Sequence, residues 1–144
     1  MLTIKHSSHA SWSGSVPKGA GEIVLGKNTD GLPFSLKSRM GEDASTNPEE
    51  LVAGALSGCY AMSISGELEL NGTPASAVTA TATVHLVQGE GGFSIPTVDL
   101  HVVAEVPGLS DEQFQTIAAQ AERVCPVSQL LKADVRLTAT LEVK

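Results

Sequence analysis

Thr46-Asn47-Pro48-Glu49-Glu50-Leu51-Val52-Ala53-Gly54-Ala55-Leu56-Ser57-Gly58-Cys59-Tyr60 is the stretch from which the rest of the chain is read. It opens with a helix-start signal. Asn47 fits the N-cap, Pro48 suits the first helical position because its missing N–H would be unpaired there anyway, and Glu50 stands at N3 to complete a capping box. The spacing predicts a central helix over residues 47–71, running to about Leu70 before the breaker Asn71-Gly72. Leu51, Ala55, Cys59, Met62 and Gly66 form one stripe, and Val52, Leu56, Tyr60 and Ile64 form another. Such a helix is apolar nearly all round until Glu67 and is expected to be central and buried. Its many small residues, among them Gly54, Ala55, Gly58 and Ala61, let another backbone pack close.

On the N-terminal side, residues 1–40 alternate strand-like runs (Ala10–Val16, Gly21–Lys27, Pro33–Arg39) with turn clusters such as Pro17-Lys18-Gly19, which reads as a β-meander. On the C-terminal side, residues 77–144 carry clean period-two patterns at Val78 to Leu86, Val98 to Val106 and Val135 to Val143, each with one apolar and one wetter face. Helices are expected between the last two strands, over 110–132. Ser110 with Gln113 at N3 starts one, Pro126 forces a break near Cys125, and a short helix resumes over Val127–Lys132. No repeat or linker divides the chain, so a single domain over 1–144 is expected. The fold class is α+β, with antiparallel sheets packed around a long buried central helix.

Composition removes several function classes. A chain of 144 residues with 42% hydrophobic and 17% charged residues is long enough to bury a core without disulfides or metals. Its net charge of −7 with no basic run argues against nucleic-acid backbones and anionic lipid surfaces, which need clustered Lys and Arg. The longest apolar stretch, Leu51 to Ile64, is interrupted by Gly54, Ser57, Gly58 and Ser63 and falls short of the ~20 residues of a membrane span. Met1 to His9 lack the apolar run of a secretory leader, which points to the cytoplasm.

Few residues are left to carry chemistry. Cys59 sits mid-helix, where a thiol ordinarily packs as a small hydrophobe. Cys125, preceding Pro126, stands at a helix N-terminus, where the dipole and unpaired N–H groups favour a thiolate. Whether the two meet is left open by their spacing. Arg39 leads into the loop before the central helix, where a guanidinium is suited to stabilising a thiolate and binding an oxygen leaving group, while Arg123 and Arg136 read as surface residues. Glu50 has the capping role, which leaves Glu49 available to orient an arginine. His6 with His9 and His85 with His101 lack a third ligand in the sequence, so neither pair makes a complete metal site.

Thr46-Asn47-Pro48-Glu49-Glu50-Leu51 followed by Cys59, together with Val124-Cys125-Pro126-Val127-Ser128-Gln129 at this separation, closely resembles the OsmC/Ohr family of bacterial organic-hydroperoxide reductases. The likeness extends from Trp12 to the final strand. It implies an intertwined homodimer with two equivalent sites at the interface. It assigns peroxidatic duty to Cys59, resolving duty to Cys125, and partner roles to an arginine and to the glutamate directly after Asn-Pro, which is Glu49. The chain has no arginine before Arg39, and Ser38-Arg39-Met40-Gly41 matches the OsmC branch. Ala44-Ser45 departs from the glycine that family members often place before Thr-Asn-Pro. The implied activity is reduction of organic hydroperoxides to alcohols, with no cofactor or metal, through a Cys59 sulfenic acid and a Cys59–Cys125 disulfide that a dithiol, in Ohr-like members a lipoylated protein, then reduces. Two other readings remain: a non-catalytic small-molecule-binding stress protein with an apolar pocket, and a metal-binding module built on the histidines.

Overall fold

A computed structural model describes residues 1–143; the expected boundary at Lys144 lies outside the described residues. The chain forms two compact units, Met1–Leu51 and a second that begins at Val52. In the first, strands β1 (Ser8–Ser13), β2 (Ala20–Leu25) and β3 (Leu32–Phe34) make an antiparallel sheet in the order β1-β2-β3. This is the expected meander, except that β1 ends at Ser13 rather than Val16 and the third run departs further. Strand character was expected to continue to Arg39, but the chain turns after Phe34 into a one-turn helix, α1 (Leu36–Arg39). Ser35 caps it: the Ser38 amide donates to the Ser35 hydroxyl at 3.2 Å and the Ser35 amide to the Ser38 hydroxyl at 2.9 Å. A capping box made of two serines satisfies both donors, while Phe34 and Leu36 on either side of Ser35 imitate strand alternation.

Cross-strand pairing explains an aromatic contact in this unit. Trp12 lies opposite Gly21, and Gly21 opposite Phe34. A Cβ on Gly21 would sit 2.6 Å from the Phe34 ring and 2.5 Å from the Ser11 carbonyl oxygen. The missing side chain therefore makes room for the Trp12 and Phe34 rings to meet, tilted by 55° with centroids 5.4 Å apart.

Helix α2 (Pro48–Leu70) begins in the first unit and continues into the second, close to the 47–71 expected. The second unit adds β4 (Ala77–Gly89), β5 (Gly92–Glu105), α3 (Asp111–Val124), α4 (Pro126–Leu130) and β6 (Asp134–Glu142). Strands β4 and β5 form a long hairpin. β6 corrects the expectation of antiparallel sheets, because it pairs parallel with β5, Thr97 opposite Asp134 through Glu105 opposite Glu142. The long crossover through α3 and α4 is what allows it, since a parallel partner needs a connection of a dozen or more residues. Ser110 caps α3 through the expected box with Gln113, and the break falls at Cys125.

β5 is paired on both sides and supplies the buried row Val98, Leu100, Val102 and Ala104. Leu56, Tyr60, Ile64 and Leu68 of α2 and Phe114, Ala118 and Ala121 of α3 complete one core. Burial of α2 is thus concentrated on one stripe with a spacing of four residues. Gly54, Ala55, Gly58 and Met62 are exposed in the single chain, Met62 at 78%. One sheet and one helix cover only part of a helix that is apolar nearly all round. Among the described residues, no helix is long and apolar enough to cross a membrane.

Candidate active site

In the first unit, the start of α2 and the end of α1 are tied together. The Asn47 side chain caps α2, accepting the Glu50 amide at 2.8 Å, and its Nδ2 donates to the Ser38 carbonyl at 3.0 Å and to Glu50 Oε1 at 2.8 Å. Glu50 is therefore engaged in the cap, with its carboxylate on the Asn47 side chain. This leaves Glu49, buried at 8% exposure, to face Arg39. Arg39 donates from Nε at 3.0 Å and from Nη2 at 2.7 Å, both to Glu49 Oε1. Glu49 Oε2 has no hydrogen-bond partner among the described residues. A cavity of about 190 Å³ adjoins the pair, walled by Trp12, Val16, Phe34, Leu36 and Pro48, with Arg39 as its charged member.

In the second unit, Cys59 on α2 and Cys125 between α3 and α4 are both free thiols, and the Cys125 thiol lies 3.3 Å from Cys59 Sγ. Two side chains of α2 align α3 for this contact. Tyr60 donates its hydroxyl to the Ala118 carbonyl at 3.0 Å, and Ser63 to the Ala121 carbonyl at 2.8 Å, so residues three apart on one helix reach carbonyls three apart on the other. Cys125 is fully buried and Cys59 partly exposed.

The expectation that Cys125 favours a thiolate is reversed. Burial pushes its thiol above the ordinary range; the Ser128 and Val127 amides at the start of α4 pull it back, but contact with Cys59 raises it further. Desolvation outweighs the helix start because α4 is only five residues long and Cys125 is sealed from water. Tyr60 is pushed well above the usual tyrosine range, by burial first and then by the charges of Glu122 and Cys125.

The other sequence candidates lie elsewhere. Arg123 donates to Gln120 at 2.9 Å, and Arg136 pairs with Asp134 at 3.1 Å. His85 bonds Asp99 at 2.6 Å, His101 bonds Thr140 at 3.3 Å, and His6 and His9 are exposed. Sequence reading does not single out Tyr60, Glu122 or Ser128. Ser128 lies within the quoted Cys125 motif, but its hydroxyl partner Glu122 belongs to the preceding helix, and nothing local announces the pairing.

Residues 41–140 match the family model described as OsmC-like protein. The chain belongs to the OsmC-like family. It is 32% identical over 142 residues to the peroxiredoxin OsmC of Escherichia coli, covering 98% of this chain and 99% of the relative. It is 33% identical over 101 residues to an organic hydroperoxide resistance protein of Xanthomonas axonopodis pv. citri, covering 67% of this chain and 66% of that one. Among solved structures, an OsmC-like protein from Mycoplasma pneumoniae superposes with a TM-score of 0.78 at 11% identity, covering 99% of this chain and 100% of that one. An organic hydroperoxide resistance protein OsmC from Legionella pneumophila gives 0.72 at 24% identity, covering 98% and 100%. These likenesses establish the OsmC-like α+β fold.

Proposed function

We propose that the protein is a thiol peroxidase that reduces organic hydroperoxides to alcohols. The observation that carries this reading is the meeting of two free cysteines, 66 positions apart in the chain, at 3.3 Å. A disulfide needs ~2.0 Å, so a small movement closes it. Cys59, partly exposed, attacks the terminal oxygen of R–O–O–H as a thiolate. The S–O bond forms, the O–O bond breaks, and the departing alkoxide takes a proton to become the alcohol. Cys125 then attacks the Cys59 sulfenic acid; the S–S bond forms and its thiol proton leaves with the hydroxyl as water. A dithiol, of the kind a lipoylated protein carries, exchanges with the disulfide and restores both thiols. Cys125 suits the second role because burial keeps it a thiol until the sulfenic acid appears.

Arg39 and Glu49 supply the polar partner. Two N–H donors on one carboxylate oxygen hold the guanidinium in place, and a guanidinium so held is a donor to the peroxide oxygens as charge develops on the leaving one. The adjoining apolar cavity suits an alkyl group better than water, which favours organic hydroperoxides over hydrogen peroxide. Names of relatives agree: one is a peroxiredoxin, another an organic hydroperoxide resistance protein. The exposed face of α2, rich in small residues, supports an intertwined homodimer in which a second copy covers Gly54, Ala55, Gly58 and Met62.

The test is consumption of an alkyl hydroperoxide against hydrogen peroxide in the presence of a dithiol. We expect Cys59→Ser to abolish turnover. Cys125→Ser should complete one oxidation and leave Cys59 as sulfenic acid, seen by mass after one equivalent of hydroperoxide. Activity retained in Cys59→Ser, with a sulfenate on Cys125, would reverse the roles.

A further inference from the structure

Glu122 occupies an electrostatically awkward place. It lies in the last turn of α3, where the carbonyl end of the helix disfavours a carboxylate. Its Oε1 instead accepts the hydroxyl of Ser128, in the first turn of α4, so the bond spans the break at Cys125-Pro126. A second tie follows the same path one residue on: Gln129 Nε2 donates to the Arg123 carbonyl at 2.8 Å. Pro126 has no N–H to offer the end of α3, and these side chains hold the two helix ends together in its place. The tie reaches the sulfur through one residue. Ser128 is 7% exposed, its hydroxyl is on Glu122, and its backbone amide draws the Cys125 thiol down against the rise that burial imposes. Both Glu122 and Cys125 also act electrostatically on the Tyr60 hydroxyl.

We propose that Glu122, acting through Ser128, is a positioning residue that clasps the α3–α4 break and holds Cys125 in reach of Cys59 for disulfide closure. The clasp serves the resolving step and has no part in the attack of Cys59 on an oxidant. It rests on the thiol–disulfide chemistry proposed above, but its test does not need a peroxide.

Dithiobis(nitrobenzoate) separates the two steps. The Cys59 thiolate attacks one of its sulfurs, forming a mixed disulfide and releasing one coloured nitrobenzoate thiolate. Cys125 then loses its proton to buffer, attacks Cys59 Sγ and releases the second. We expect the first release to be unchanged in every variant. The second should slow by about tenfold in Glu122→Ala and in Ser128→Ala, because a misplacement on the order of 1 Å is costly for an intramolecular reaction. Glu122→Gln, which keeps an acceptor oxygen for Ser128, should close at close to the wild-type rate, a rescue that general loss of stability would not produce. If Glu122→Ala does not fold, Ser128→Ala breaks the same bond from the other side and decides the matter. Unchanged second release in the alanine variants, or a Glu122→Gln protein as slow as Glu122→Ala, would overturn the clasp. A wild type that closes its disulfide with this reagent yet is never oxidised by an alkyl hydroperoxide would overturn the peroxidase reading and leave the clasp standing.

Discussion

Glu49 is the residue whose surroundings most constrain its chemistry. Its side chain is 10% exposed against 36% for Arg39, one oxygen takes both guanidinium bonds, and the other has no partner among the described residues. Removing the cation is therefore worse than neutralising the anion. Arg39→Ala strands a nearly buried carboxylate and should cost about 2 kcal/mol, discounted from a fully buried pair because the arginine is partly solvated. Glu49→Gln keeps an acceptor without the charge and should cost about 1 kcal/mol or less. The only tryptophan, Trp12, lies in the same compact unit and reports its unfolding by fluorescence in denaturant. Equal losses in the two variants would mean that the charge on Glu49 is already well solvated. Both variants should slow hydroperoxide reduction, Arg39→Ala more than Glu49→Gln, since the first removes the guanidinium and the second holds it only by hydrogen bonds to a neutral acceptor.

At the scale of elements, the contact between α2 and α3 sets the meeting of the cysteines, and the bond from Tyr60 to the Ala118 carbonyl is its buried strut. Tyr60→Phe should cost about 1 kcal/mol at neutral pH. The cost depends on pH with a definite sign. Tyr60 is raised above its unfolded value, so its contribution is complete below the ordinary tyrosine pKa of about 10 and is lost as pH rises through it, where the unfolded chain releases a proton that the folded chain retains. Denaturant midpoints of wild type and Tyr60→Phe should therefore converge between about pH 9 and 11. Because Tyr60 is the only tyrosine, tyrosinate absorbance follows it alone. A gap that stays constant across that range would show that the phenol ionises freely in the folded state.

For the whole molecule, the test concerns the uncovered face of α2. A Cβ at Gly58 would meet nothing within 4 Å in the single chain, and leucine is a better helix former than glycine by roughly 0.8 kcal/mol. In a lone chain Gly58→Leu should therefore stabilise. In the proposed dimer it should obstruct the partner and yield monomers by sedimentation. A variant that sediments like wild type and melts higher would leave this face without a partner. Glu49 and Cys59 are ten residues apart on one helix, about 15 Å along its axis, so the shared-site reading draws the two from different chains. Co-refolded Glu49→Ala and Cys59→Ser proteins should then recover activity in the mixed dimer. A verified heterodimer with no activity would refute shared sites.

Features set by neighbours in sequence were readable without coordinates. The Asn47 and Ser110 caps, the break before Pro126 and the alternation of β4, β5 and β6 depend on residues one to four apart, and the sequence alone determined them. So did family membership, because the Asn47-Pro48-Glu49 and Cys125-Pro126 segments are themselves local strings. Tertiary structure decided what depends on the path of the chain. The crossover made β6 parallel to β5; a single sheet and helix left one face of α2 uncovered; and burial, acting over the whole core, reversed the thiolate preference that the helix start alone gave Cys125. The α1 turn was hidden for a smaller reason, since a two-serine cap looks like strand alternation until its hydrogen bonds are seen. Cys59 and Cys125 come within 3.3 Å because Tyr60 and Ser63 fix α3 against α2, and Glu122 finds Ser128 because the chain turns back at Pro126. Those contacts are made through space between helices, where residue spacing carries no information about distance.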